Sequence, residues 1–140
     1  MGLESRRIDI GEGINLNMIN VKGLESSLFG VYFIMPLNRE EVTKNSLLSL
    51  VLKMGTQKYN SNLKVGQRLE ELYRARLNTN VKKKGEKQII GFTIEIPNDE
   101  DDKRILDSIN FLKDIIYNPY IGEGFSSLQS IEDEKEKLKN

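Results

Sequence analysis

A chain of 140 residues is long enough for one domain with a real core and too short for two large ones. Its 38% apolar and 30% charged composition fits a soluble globular protein, and 21 basic against 21 acidic side chains leave no net field to draw in nucleic acid or anionic lipid. With neither cysteine nor histidine, the chain excludes thiol nucleophiles, disulfides, a Ser-His-Asp triad and a His- or Cys-ligated zinc, so any catalysis would fall to carboxylates, lysines or tyrosines.

The first five residues hold no basic region leading into an apolar one, and Arg6 stands where a myristoylation signal needs Ser or Thr. The longest apolar run, residues 28–37, is too short to span a bilayer. No membrane partner is expected, and the expected location is cytoplasmic. Residues 6–20, apolar at Ile8, Ile10, Ile14, Leu16 and Met18, read as a strand with a turn or bulge at Gly11-Glu12-Gly13. The β-branched and aromatic run at 27–36, closed by Pro36, reads as a well-buried second strand. Asn38 and Glu41 have the spacing of a capping box, and Val42, Leu47, Leu48, Val51, Leu52 and Met54 then fill more than half of a helical surface before Gly55, which predicts the central core helix.

A second helix is predicted over 65–76 with Asn62 as its cap, from Val65, Leu69, Leu72 and Tyr73. Strands at 77–83 and 87–96 flank Lys84-Gly85-Glu86 as a hairpin, and Pro97 ends the second. The stretch Asn98-Asp99-Glu100-Asp101-Asp102 puts acidic groups where a helix N-terminus suits them, and Ile105, Ile109, Leu112 and Ile116 follow at helical spacing until Asn118-Pro119 breaks the run. Ser126 and Gln129 open a last, highly charged helix. The order ββ-αα-ββ-αα predicts an α+β domain, with helices covering one face of a mixed or antiparallel sheet.

Three charged or glycine-rich stretches have simpler readings than a binding site. Lys82, Lys83, Lys84 and Lys87 form a solvated hairpin tip without interleaved aromatics, so no nucleic-acid partner is expected. Asp99 to Asp102 lack the alternating ligands and glycine of a calcium loop and read as a helix cap. The Gly11-Glu12-Gly13 stretch is not followed by Lys-Ser/Thr and reads as a turn.

The stretch Ser46-Leu47-Leu48-Ser49-Leu50-Val51-Leu52-Lys53-Met54-Gly55-Thr56 resembles the active-site helix of the insulinase-like (pitrilysin-type) zinc metallopeptidases, which carries an inverted H-x-x-E-H motif followed by Gly-Thr. Anchored on Gly55-Thr56, the two histidine positions fall at Ser46 and Leu50 and the glutamate at Ser49. None of these supplies a zinc donor or a general base. Leu69-Glu70-Glu71-Leu72-Tyr73, the hairpin at 77–96, Asn118-Pro119 and the charged final helix extend the resemblance over nearly the whole chain, with wording similar to the bacterial, motif-less members encoded beside an active paralogue. In active relatives a glutamate on the last helix is the third ligand, and alignment on Glu134-Lys135 puts that position just past Asn140.

The resemblance implies a single domain over 1–140 that is an incomplete N-terminal roll of a longer peptidase-like protein, catalytically inactive and needing no metal or other cofactor. It also implies that Leu77, Asn78, Thr79 and Asn80 correspond to the edge strand that pairs with substrate peptide. Main-chain pairing needs exposed N–H and C=O groups more than particular side chains, so peptide capture can outlive catalysis. The expected partners are an extended peptide and an active paralogue or a second copy of the chain. Two other readings stay open: a structural or interaction domain without peptide binding, and part of an active zinc peptidase whose site lies elsewhere.

Overall fold

The computed structural model of the protein describes residues 3–98 and 102–120. Five strands and three helices follow in the order β1 (Leu3–Gly11), β2 (Ile14–Val21), β3 (Ser26–Pro36), α1 (Val42–Leu52), α2 (Asn62–Glu71), β4 (Arg76–Lys84), β5 (Lys87–Pro97) and α3 (Asp102–Tyr117). The class is α+β, as the patterning predicts, and both sheets are antiparallel. The last helix read from Ser126 lies outside the described residues.

The stretch expected as one interrupted strand is two. Gly13, at φ +70°, reverses the chain, and β1 and β2 pair as a hairpin that forms a sheet of its own. Every residue of β2 is exposed.

The main sheet has the order β3-β5-β4. On its central strand every second residue, Gln88, Ile90, Phe92, Ile94 and Ile96, is buried, and the register sets the last four beside Phe29, Val31 and Phe33 on one side and Leu77, Thr79 and Val81 on the other. That shared face carries the helices. The β4–β5 connection is a two-residue turn closed by the Lys84–Lys87 pair, with Gly85 at φ +61°.

Strand β3 is an edge strand, not the well-buried one expected. Its run is apolar on both faces, but helices cover only one, so Leu28, Tyr32 and Ile34 remain exposed on the other. There the Tyr32 ring lies over two glycines: a Cβ on Gly91 would stand 2.6 Å from the ring and one on Gly30 2.8 Å from it. The aromatic ring supplies packing surface that neither glycine has.

Helix α1 is not the central core helix. Only Ser49 is buried on it, Leu48 is exposed, and Leu47, Leu50, Val51 and Leu52 are half-buried. Its apolar residues spread round more of the surface than one sheet face can cover. The expected capping box is absent: Glu41 makes no side-chain cap, while Asn38 Oδ1 accepts from Glu40 N and the Asn38 carbonyl accepts from Glu41 N and Val42 N.

The core is built from β5, α2 with the turn that follows it, and α3, as Val65, Leu72, Ala75, Ile90, Phe92, Ile94, Ile96, Phe111, Leu112 and Ile115. Ser61, not Asn62, caps α2, its Oγ accepting from Lys64 N at 3.1 Å. That helix ends at Glu71, short of Arg76, because Tyr73 and Arg74 both adopt φ +59° and turn the chain into β4. On α3 the buried stripe is Ser108, Phe111, Leu112 and Ile115, with Ile109 exposed. It is rotated from the predicted stripe, since a helix with apolar residues at both 111/112 and 115/116 allows either face. Among the described residues no helix is long and apolar enough to cross a membrane.

Candidate functional site

Helix α1 brings the three degenerate motif positions against the sheet, lying beside β4 and β5. Ser46 Oγ donates to the Val42 carbonyl at 2.9 Å, and Ser49 Oγ donates to the Ser46 carbonyl at 2.7 Å. Both hydroxyls are thus occupied by the turn of helix behind them, the usual arrangement for a serine inside a helix. Leu50 is half-buried and adds only hydrocarbon. Among the described residues no three His, Cys, Asp or Glu side chains gather closely enough to hold a metal ion.

The polar group nearest these positions comes from the sheet. Gln88, 1% exposed on the central strand, donates through Nε2 to the Val42 carbonyl at 3.2 Å and to Ser46 Oγ at 3.4 Å. Its Oε1 accepts from Asn45 Nδ2 at 3.1 Å, and the same Asn45 nitrogen reaches Met35 Sδ at 3.3 Å. Gln88 therefore fastens the first half of α1 to β5. Reading the sequence missed it, although a signal is present: Gln88 stands in phase with Ile90, Phe92, Ile94 and Ile96, so the core face of a strand carries one amide that must find partners.

The Gly-Thr pair and the Asn-Pro pair, which serve as separate anchors in the sequence, meet in space. Thr56 and Pro119 form an antiparallel bridge, Gln57 N donates to the Asn118 carbonyl at 3.0 Å, and Tyr120 N donates to the Gly55 carbonyl at 3.2 Å. Thr56 is fully buried, and its Oγ1 accepts from Tyr59 N at 2.9 Å. Tyr59 in turn sets its ring edge-on to Phe111 of α3, with centroids 5.5 Å apart. The loop after the motif helix is thereby locked to the end of α3.

Between α1 and α3 a cleft of about 360 Å³ opens over the sheet, lined by Phe33, Leu48, Leu52, Phe92, Ile116 and Tyr117 with Asn45 and Ser49 as its polar contacts. Its lining carries no His, Cys, Asp or Glu side chain, and the titratable group in it is the Tyr117 phenol.

Strand β4, carrying Leu77, Asn78, Thr79 and Asn80, is an outer strand of the sheet. Leu77 and Thr79 are half-buried toward the helices, and Asn78 and Asn80 are exposed on the opposite face. The structure thus sets this strand beside the motif helix. The lysines of the β4–β5 turn, Lys82, Lys83, Lys84 and Lys87, are all exposed. Of the acidic run before α3, Asp102 is exposed in the first helical turn, and Asp99, Glu100 and Asp101 fall outside the described residues.

No protein-family model matches the chain. Over 132 residues it is 29% identical to the probable inactive metalloprotease YmfF of Bacillus subtilis (strain 168), across 91% of this chain and 31% of that protein. It is also similar to a crystal structure of a conserved protein from Enterococcus faecalis V583, with a TM-score of 0.87 and 28% identity, across 96% of this chain and 33% of that one. The chain spans about a third of the length of the relatives it matches.

Proposed function

We propose that this chain is a catalytically inactive, insulinase-like metallopeptidase unit, part of the N-terminal roll of a longer polypeptide, and that it captures extended peptide along β4 for an active paralogue paired with it. Similarity to a protein described as an inactive metalloprotease supports the first part. So does the motif helix, where Ser46, Ser49 and Leu50 replace every metal donor and the two hydroxyls are turned back onto their own helix.

One observation carries the peptide reading: among the described residues β4 is an outer strand with no strand paired to its far side, directly beside the helix that would hold the catalytic metal in an active relative. An edge so placed can add an extended peptide as a further antiparallel strand. Hydrogen exchange tests the reading. Adding an excess of unstructured peptide is expected to slow the amides of residues 77–81 and leave β5 unchanged; identical rates with and without peptide would remove the proposal. The exposed apolar face of Leu28, Tyr32 and Ile34 favours a second reading, a protein-interaction domain without peptide capture, and in that case the protection falls on β3 when the partner binds.

A further inference from the structure

Strand β4 reads Arg76-Leu77-Asn78-Thr79-Asn80-Val81-Lys82-Lys83-Lys84, with four basic residues and no acidic one. All four basic side chains are exposed, and among the described residues none of them forms an ion pair, although Glu86 stands in the adjoining turn. Glu95, which faces Arg76 across the ladder, accepts instead from Ser26 Oγ on β3 at 2.7 Å. The pleat puts Arg76, Lys82 and Lys84 on the open face of the sheet with Asn78 and Asn80 between them, and sends Lys83 to the other face beyond Val81. The outer strand is therefore basic at both ends and neutral in the middle.

That pattern rejects one occupant of the edge and favours another. A second copy pairing β4 with β4 antiparallel would set Arg76 opposite Lys84 if centred on Asn80, or opposite Lys82 if centred on Thr79. Like charges about 5 Å apart would repel in either register. A strand with carboxylates at the same places gains where the second copy loses. Nucleic acid fits less well, because the strand carries no aromatic side chain on which a base could stack.

We propose that the peptide captured by β4 is acidic. It lies extended and antiparallel to the strand, with carboxylates opposite Lys84 and Lys82 near its amino end, another opposite Arg76 near its carboxyl end, and uncharged residues between. This inference rests on peptide capture by β4 and adds the charge class of what is captured. Opposite charges across the ladder supply the selectivity, and the basic ends of the strand speed encounter with an anionic segment.

Peptides of nine residues, one for each position of β4, test it. They share an uncharged Thr/Val background and carry Glu, Gln or Lys at the first, third and ninth positions. Titrated against the 140-residue chain, the Glu peptide is expected to bind about tenfold tighter than the Gln peptide, and the Lys peptide more weakly than either. The advantage of Glu over Gln should shrink severalfold as salt rises from about 0.01 M to about 1 M, where the screening length falls from about 30 Å to about 3 Å. Lys82→Glu with Lys84→Glu should reverse the order of the Glu and Lys peptides, with amide protection in β5 unchanged to show that the sheet is folded. Slowed exchange at residues 77–81 places the bound peptide on β4. Equal affinity for the Glu and Gln peptides, with those amides protected by both, would overturn the charge assignment and leave peptide capture standing. Failure of every peptide to protect them would overturn both. A double variant that still prefers Glu, or a mixed-sequence single-stranded DNA that displaces the Glu peptide as well as unlabelled Glu peptide does, would also overturn the proposal.

Discussion

Thr56 and Pro119 meet in a single antiparallel bridge that ties the loop after α1 to the chain leaving α3. Thr56 is fully buried there, and its hydroxyl is the acceptor for Tyr59 N. Valine has nearly the same shape and no acceptor. Thr56→Val should therefore cost about 1–3 kcal/mol, the penalty for leaving a part-buried N–H unpaired. Denaturant unfolding measures it, and a change below about 0.5 kcal/mol would mean that Tyr59 N finds water.

Gln88 and Asn45 offer a sharper test because they can be changed singly or together. Gln88→Leu strands the Asn45 amide against β5 and removes the donor to the Val42 carbonyl, and the expected loss is about 1–3 kcal/mol. Asn45→Leu on top of it removes the stranded partner. The double variant should lose less than the sum of the two singles, and strict additivity would show that the two side chains are not coupled.

The sequence made the element types legible wherever a period ran long enough, as in α3 or the β4–β5 hairpin, and the turn glycines Gly13 and Gly85 marked true reversals. Which side of an element is covered was far less legible. Residues 28–35 look buried because both faces are apolar, yet β3 lies at the edge and one face is bare. Likewise the leucines of α1 suggest a core helix, while the buried position is Ser49. Burial depends on what packs opposite, and that information lies elsewhere in the chain. The candidate site divides along the same line. The replacement of metal donors by Ser46, Ser49 and Leu50 is a matter of residue identity and reads directly, whereas the Gln88 tether and the Thr56–Pro119 bridge join segments far apart in sequence.

Ser108 is fully buried on α3, and its hydroxyl has no hydrogen-bond partner among the described residues. An unpaired buried hydroxyl lowers stability relative to a methyl group. Ser108→Ala is expected to leave stability unchanged or raise it, visible as an equal or higher melting temperature. A loss above about 1 kcal/mol would reveal a partner for the hydroxyl.

The motif helix should behave as plain structure. Metal analysis of protein purified without added metal is expected to find less than one zinc per ten chains. Stoichiometric zinc that disappears in Ser46→Ala/Ser49→Ala would contradict the inactive reading. Leu50 is only half-buried, so Leu50→Ala should cost about 1 kcal/mol, below the 2–5 kcal/mol of a fully buried leucine. A larger cost would place Leu50 against a surface that covers it completely.

Peptide capture by β4 makes a prediction that differs from that of an ordinary sheet strand. The side chain of Thr79 points toward the helices beside Phe92, while among the described residues no strand pairs with the far side of β4. An inward-pointing charge on an edge strand is a known obstacle to strand addition, because a further strand would bury the ammonium or force it into the ladder. In the free protein a lysine at this position can run its stem along the sheet edge and keep its charge in water. Thr79→Lys should therefore lower stability only modestly, by about 1 kcal/mol, while weakening peptide binding at least tenfold, a change equivalent to about 1.4 kcal/mol. Asn78→Lys points to the open face and should leave binding within about twofold, since a peptide paired along the edge does not cross that side chain. Titration of a fluorescent extended peptide against the three proteins gives the comparison. Equal affinity for all three would show that the peptide does not pair with β4, and loss of binding in Asn78→Lys alone would move the contact to the open face of the sheet.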